Sequence, residues 1–376
     1  MITTSSPDLQ LTLQLDTRSL PYLADHKIGG LQALPASAYL EMVLAAGLSA
    51  SKGRPCRVED VQLHELLLFN DQAARTVRIT LASNTDDAWL FSIESLRSSG
   101  SDWAMHANGV LRCDAPPAAP APILHSEILA RCGEQLRATD HYAAMQARGL
   151  HYGPAFKAVE VIWRRDGEAF AQLRLPAALE TDAQLYNIHP VLLDAAIQSV
   201  AAARPGESGT SLPVALGRLV VYERRRVRLW SHVVVGAESQ DGGFSADVTL
   251  LDEAGKVVAT LHGLRIQPAA TAHSAAAPTV ATAPAVAAAA PVVSNGELAH
   301  AALEQLLTRT WKDVLGLREL ERSDRFFDLG GDSITATQIA DKIGRAGIVV
   351  SPKDILETQT ITKLMLVINA RKEQTS

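Results

Sequence analysis

A stretch without a single charged side chain divides the chain. Residues 268–295, PAATAHSAAAPTVATAPAVAAAAPVVSN, contain no Asp, Glu, Lys or Arg and repeatedly place proline among alanines. Recurrent prolines interrupt a long helix, and alanine offers little apolar surface to bury. We therefore expect a disordered Ala/Pro-rich linker over 268–296, with a large unit at 1–267 and a small unit at 297–371.

Composition narrows the classes of protein that this chain can represent. The 376 residues are 47% hydrophobic and 20% charged, which is enough apolar material for more than one packed core. A net charge of −6 without a long Lys/Arg block argues against a nucleic-acid partner. The first residues lack a basic start and an apolar signal core, and no apolar run suits a membrane span. We expect a cytoplasmic protein that does not bind membranes.

The cysteines also favour a cytoplasmic protein. Cys56, Cys113 and Cys132 are odd in number and form no CxxC pair. This pattern favours reduced thiols over a disulfide framework or a zinc site. We predict no bound metal.

The large unit has the pattern of strands interrupted by two apolar helices. A proline opens the helical spacing of 35–50, and 189–203 is apolar on nearly every side. The Pro-rich stretch 114–122 separates two halves, at about 1–115 and 123–267, each with one such helix. This predicts an α+β fold of two similar halves. We predict strands at 58–69, 75–83, 89–97, 103–114, 156–165 and 169–176, and more after residue 216.

Three short motifs in the large unit carry residues suited to acid–base chemistry. His26 is followed by Gly30 and Pro35, and by itself this histidine could equally lie at the edge of a core. Asp194 lies within the apolar helix, where burial would raise its pKa, and Gln198 follows one helical turn later. An aspartate with a structural partner is the alternative for this position.

The third motif is GLHYGPAF at 149–156. Gly153 and Pro154 form a bend directly after Tyr152 and would aim its phenol at a fixed point. A tyrosine that only packs against the core is the alternative.

In this order and at these separations, the three motifs resemble those of the dehydratase domains of modular polyketide synthases. The resemblance covers about residues 10–267 and implies a double hotdog fold, in which each half wraps a sheet around a helix. The stretch LPVALGRL at 212–219 also resembles a Leu-Pro segment of this family. This chain departs from the family pattern in two places, since Ala36 follows Pro35 where the family usually has glycine, and Val214, Ala215 and Leu216 stand where the Leu-Pro segment often has an aromatic residue. Both departures bear on the shape of the substrate channel.

The resemblance implies elimination of water from a 3-hydroxyacyl thioester to give a 2,3-enoyl thioester. His26 would remove the C2 proton, and protonated Asp194 would donate to the departing hydroxyl. Gly30 would offer its backbone N–H to the thioester oxygen, Tyr152 would bind the hydroxyl, and Gln198 would orient Asp194. Pro35, Gly153 and Pro154 would shape the substrate site.

The C-terminal unit contains a second motif, FFDLGGDSITATQIADKIGRAGI at 326–348. Ser333 follows Asp332 and opens a segment with helical spacing, where a serine is ordinarily an N-cap. The stretch resembles the attachment site of acyl and peptidyl carrier domains, which implies 4′-phosphopantetheine on Ser333. Predicted helices at about 298–315, 333–346, 352–357 and 361–370 would form a four-helix carrier bundle.

The partners implied are a ketosynthase and other synthase domains, a phosphopantetheinyl transferase and the acyl thioester substrate. The resemblance leaves open a homodimer formed through the dehydratase domain. It also leaves two alternative functions. One is a pyran-forming or double-bond-shifting relative, and the other is a branching domain that holds the chain while a ketosynthase acts.

Overall fold

The computed structural model describes residues 9–69, 73–85, 87–97, 102–114, 117–207, 209–240, 242–269 and 295–315, and from there to residue 373 the positions 317, 320–322, 324–326, 329, 335–336, 339–340, 342–343, 348, 350 and 352–373. The chain divides into two compact units, Met1–Ala272 and His273–Ser376. Each unit is described by itself.

Antiparallel strands dominate the first unit. Twelve of its described strands form one sheet in the order β1-β5-β6-β7-β4-β12-β15-β14-β13-β11-β10-β8, and β3-β2-β9 form a small second sheet. The strands are β1 (Leu9–Leu15), β2 (His26–Ile28), β3 (Leu31–Gln32), β4 (Arg57–Leu63), β5 (Arg75–Thr85), β6 (Ala88–Leu96), β7 (Trp103–Arg112), β8 (Glu134–Arg137), β9 (Leu150–Tyr152), β10 (Val159–Arg165), β11 (Glu168–Arg174), β12 (Ser211–Val221), β13 (Arg228–Glu238), β14 (Phe244–Leu251) and β15 (Val257–Pro268).

The large sheet contains both halves of the unit. Strands before residue 115 lie on one side and strands after residue 123 on the other, and β4 pairs with β12 where they meet, with Val58 opposite Leu219. Alternation sets which residues enter the core, as in β5, where Val77, Ile79 and Leu81 are buried. The predicted α+β class is confirmed.

Two buried helices lie against this sheet. The helices of the unit are α1 (Ala36–Ala50), α2 (His125–Arg131), α3 (Ala138–Ala147) and α4 (Pro190–Gln198). The two buried helices are α1 and α4. Helix α1 contacts β4, β5 and β7, helix α4 contacts β11 and β14, and the two helices contact each other. The predicted helix at 189–203 is α-helical only to Gln198 and continues as the 3-10 turn Ser199–Ala203. These two helices bring the two halves together at the centre of the unit.

The cysteine prediction is wrong for two of the three residues. Cys56 and Cys113 form a disulfide, whereas Cys132 is free and buried. The reason lies in strand register, because Arg57 pairs with Arg112 and the cysteines are the next residues outward on each strand. The cysteine pattern therefore does not support a reducing compartment.

The second unit is helical in the part that the structure describes. It contains α5 (Asn295–Leu315), α6 (Pro352–Thr358) and α7 (Ile361–Glu373), close to three of the predicted helices. Trp311 and Phe326 pack in its core with ring centroids 5.0 Å apart. Residues 270–294, which make up most of the predicted linker, lie outside the described residues, as do Asp332 and Ser333 of the attachment motif. No described helix is long and apolar enough to cross a membrane.

Candidate active site

His26 begins β2, and its imidazole ring forms a hydrogen bond with Ala33. Its Nδ1 lies 2.8 Å from the carbonyl oxygen of Ala33, and the N–H of Ala33 donates back to the His26 carbonyl at 3.1 Å. A carbonyl oxygen can only accept, so Nδ1 carries the proton of this hydrogen bond. In the neutral ring, Nε2 therefore has the free lone pair that a general base needs. The histidine is buried.

The residues between His26 and Pro35 form a hairpin that returns Ala33 to the side of His26. Gly29 and Gly30 connect β2 to β3 with φ values of +58° and +85°. Positive φ at both centre positions is typical of a type I′ hairpin turn and favours glycine there. Pro35, with extended backbone, then directly precedes α1. Each residue of this motif thus has a defined place in one strand–turn–helix connection.

Tyr152 lies next to His26 on the neighbouring strand. β2 and β9 are antiparallel with these two residues paired, and their ring centroids are 5.6 Å apart. Burial raises the pKa of Tyr152 well above its usual value, and the nearby Asp194 carboxylate raises it further. The phenol therefore keeps its proton and can donate a hydrogen bond.

The residues after Tyr152 are fixed by Asp25, which the sequence interpretation did not select. The Asp25 carbonyl accepts from Gly153 N at 2.7 Å, and its carboxylate accepts from Ala155 N at 2.8 Å. A Cβ on Gly153 would overlap the Asp25 carboxyl group. Glycine is needed here because of this close approach, since its φ of −80° is open to any residue. Pro154 then begins the 3-10 turn Pro154–Phe156.

Asp194 and Gln198 lie on α4 and are buried. The Gln198 amide Nε2 donates to Asp194 Oδ2 at 2.7 Å and to the Phe156 carbonyl at 3.2 Å. Burial raises the pKa of Asp194, while a positive charge on nearby His26 and the Gln198 amide act in the opposite direction. We consider burial the dominant effect, since a carboxylate in an apolar helix core loses its hydration.

Phe156 links the three motifs, although it was not among the predicted site residues. Its ring centroid is 5.1 Å from that of His26, and its carbonyl oxygen accepts from Gln198. His26 and Gln198 thus both contact Phe156, which is fully buried. Phe156 was visible in the GPAF segment, but an apolar residue gives no chemical signal of its own.

The remaining predictions concern a bound metal and the phosphopantetheine attachment site. Among the described residues, no group of three or more His, Cys, Asp or Glu side chains is arranged to hold a metal ion. The predicted attachment residue Ser333 and its neighbour Asp332 are not among the described residues.

Family models match both units of the chain. The models described as polyketide synthase dehydratase domain and polyketide synthase dehydratase N-terminal domain match residues 2–96 and 120–276. The model of the phosphopantetheine attachment site matches residues 305–368. The match to each unit agrees with the motif that the sequence shows there.

Several known proteins are similar to the first unit. Phthioceranic/hydroxyphthioceranic acid synthase of Mycobacterium bovis (strain BCG / Pasteur 1173P2) is 32% identical over 262 residues, covering 66% of this chain and 12% of the relative. Polyketide synthase GfsE of Streptomyces halstedii is 31% identical over 282 residues, 70% of this chain and 7% of the relative. The chain thus spans only 7–12% of the length of these curated relatives.

A solved structure gives the same result for the fold. The dehydratase domain of a mycocerosic acid synthase-like polyketide synthase is similar with a TM-score of 0.65 and 28% identity, over 71% of this chain and 94% of that one. The predicted double hotdog fold is confirmed. The chain belongs to the polyketide synthases, as a dehydratase domain followed by a domain that carries 4′-phosphopantetheine.

Proposed function

We propose that the first unit eliminates water from a 3-hydroxyacyl thioester carried on phosphopantetheine, with His26 as base and Asp194 as acid. The observation that carries this proposal is the hydrogen bond between His26 Nδ1 and the Ala33 carbonyl, together with the burial of Asp194. The hydrogen bond to Ala33 leaves His26 Nε2 unprotonated in the neutral ring, whereas burial favours the protonated form of Asp194.

The elimination would proceed as follows. His26 Nε2 takes the proton from C2, and the electron pair of the C2–H bond forms the C2=C3 double bond. The C3–O bond breaks, and the hydroxyl leaves as water with the proton that Asp194 donates. The products are a 2,3-enoyl thioester, water, a protonated His26 and an ionised Asp194. Transfer of a proton from the histidine to the aspartate, directly or through solvent, restores the starting state.

The other predicted residues would support these two. Tyr152, whose phenol stays protonated, donates a hydrogen bond to the C3 hydroxyl. Gln198 fixes the rotamer of Asp194 through the 2.7 Å hydrogen bond. The Gly30 N–H would stabilise negative charge on the thioester oxygen as the C2 proton leaves. Pro35, Gly153 and Pro154 would keep the loops of the substrate site in place.

The C-terminal unit would deliver the substrate. Its phosphopantetheine would be attached to Ser333 beside Asp332 by a phosphopantetheinyl transferase, and its thiol would hold the acyl chain. A ketosynthase and other synthase domains would supply and receive that chain. A cytoplasmic location, a homodimer through the first unit, the linker at 268–296 and the domain bounds 1–267 and 297–371 belong to the same proposal.

Intact-mass spectrometry of the loaded carrier tests the reaction. The holo-protein is charged with a 3-hydroxyacyl chain, and the acyl mass is followed with time. Loss of one water supports dehydration. A chain of unchanged mass is released and compared with the substrate by chromatography, where a rearranged isomer would favour cyclisation and unchanged substrate would favour a branching domain that only holds the chain.

A further inference from the structure

Glu41 is the only charged residue of α1, and its side chain is buried with 4% exposure. Its Oε1 accepts from Asn187 N at 2.7 Å and from Asn187 Nδ2 at 3.0 Å, and Oε2 accepts from Ile188 N at 3.2 Å. A buried carboxylate without such donors would be strongly destabilising. Three donors converge on this one carboxyl group, and all three come from the other half of the unit.

The segment that Glu41 holds leads directly into the helix of Asp194. Ile188 is followed by His189, whose Nδ1 accepts from Val191 N at 3.2 Å and caps α4. Asp194 lies four residues after Pro190, about 6 Å along the helix axis. A shift of the Asn187 segment would therefore move the start of α4, because only His189 separates Ile188 from Pro190.

The helix is also held at its other end. Gln198 donates to the Phe156 carbonyl, and the ring of Phe156 packs against His26. Glu41 thus fixes the start of α4, and Gln198 fixes its end. Asp194 lies between these two attachments.

Glu41 itself is anchored to the residues that hold His26. The Ala33 carbonyl that orients the histidine lies two residues before Pro35, which directly precedes α1. Glu41 follows on the same rigid helix. A continuous path of hydrogen bonds and helical backbone therefore runs from His26 through α1 to the start of α4.

We propose that Glu41 is a positioning residue that sets the separation of His26 and Asp194 by fixing the first residues of α4. The proposal rests on the proposed dehydration, since it assigns the two groups to one reaction. Glu41 does not contact the substrate in this scheme. Its contribution is to keep the acid within reach of the C3 hydroxyl while the base faces C2.

The test is a kinetic comparison of Glu41→Gln with wild type, with 3-hydroxyacyl pantetheine thioesters as substrates. Tryptic digestion patterns and thermal midpoints show whether the variant is folded. A glutamine side chain has the same shape as glutamate, but its amide NH2 group would face N–H donors that the carboxylate now accepts from. The hydrogen bonds between α1 and the Asn187 segment are therefore weakened. We expect kcat to fall about 10- to 100-fold with KM changed less than about twofold. Asn187→Ala, which removes one donor of three, should give a smaller loss of kcat.

The matched control is Glu168→Gln. Glu168 is similarly buried and accepts from His232, Arg131 and Arg165, and none of these three donors lies on α1, on α4 or on the segment that precedes α4. We expect it to lower the thermal midpoint while kcat stays near wild type. A folded Glu41→Gln enzyme with wild-type kcat, or an equal loss of kcat in both variants, would overturn the positioning role.

His26→Ala and Asp194→Asn, measured beside these variants, separate this proposal from the one on which it rests. If both are inactive and Glu41→Gln is fully active, only the positioning role is wrong. If wild type dehydrates none of the thioesters, or if the two variants retain the wild-type rate, the dehydration proposal fails and the role of Glu41 fails with it.

Discussion

The carboxylate of Asp25 accepts the backbone N–H of Ala155 at 2.8 Å, across 130 positions of sequence. Since Asp25 directly precedes His26, this hydrogen bond attaches the loop after Tyr152 to the strand of the histidine. The same aspartate occupies the space beside Gly153 where a side chain would stand. The hydrogen bond between Asp25 and Ala155 therefore requires glycine at position 153.

Replacing Gly153 by alanine should separate this loop from β2. The added methyl group would displace the Asp25 carboxylate, at a cost of about 1–3 kcal/mol in the free energy of unfolding. We also expect lower dehydration activity, because Tyr152 and Phe156 flank the loop. Gly133→Ala is a suitable control, since a Cβ there meets no atom within 4 Å. Equal thermal midpoints for the two variants would contradict the prediction.

His26→Ala and Asp194→Asn should each lower kcat by about 10²–10⁴-fold or more. Because the two groups act in one elimination, the double variant should be little worse than the poorer single variant. Turnover and thermal midpoint are measured on the same samples. A purely structural residue would instead lose activity only in proportion to the unfolded fraction. A well-folded single variant with the wild-type rate would rule out the proposed mechanism.

Ser333→Ala should prevent attachment of the phosphopantetheine arm, because the hydroxyl oxygen is the proposed attachment atom. Incubation with a phosphopantetheinyl transferase and coenzyme A, followed by intact-mass measurement, gives the result directly. Wild type should gain the mass of one arm and the variant none. The first unit should still dehydrate free pantetheine thioesters in this variant. A gain of the same mass by Ser333→Ala would move the attachment site elsewhere.

Stability should fall in mild acid because of buried histidines. Burial lowers the pKa of His106, His141 and His189 to about 4, whereas an unfolded histidine has a pKa of about 6.5. Between these values the unfolded chain binds more protons, so stability is full above pH 6.5 and is lost as the pH falls through about 4. Each such histidine contributes about 3 kcal/mol to this loss.

The variant His141→Gln isolates one of these contributions, since His141 lies on α3 and is not one of the proposed site residues. Its thermal midpoint should depend less steeply on pH between 7 and 4 than that of wild type. His64→Gln, at an exposed position with a hydrogen bond to Asn108, should leave the slope unchanged. Identical slopes for wild type and His141→Gln would disprove the linkage.

The sequence predicted those parts of the site that depend on short spacings. The route from His26 through Gly30 to Pro35 is one local connection, and Asp194 and Gln198 are one helical turn apart, so their relation follows from helix geometry. Asp25 was missed because its partner is distant in sequence. Glu41 left a readable signal, since it is the one charged residue on an otherwise apolar helix.

The disulfide was missed for a related reason. Whether Cys56 and Cys113 meet depends on the register between β4 and β7, and that register shifts between Glu59 and Gln62. No local pattern encodes such a shift. The count of cysteines and the absence of CxxC pairs therefore gave the wrong answer for this pair, although the strands themselves were predicted.

The pairing of β4 with β12 has a consequence for building hybrid synthases. These strands lie in the interior of one sheet, and each supplies hydrogen bonds to the other half. A half taken from another enzyme would have to reproduce this register and also offer Glu41 the same donors. Exchanging one half alone would leave an open strand edge, which invites aggregation. The smallest piece that can be transplanted as a folded object is therefore both halves together, with the acid and the base on the same graft.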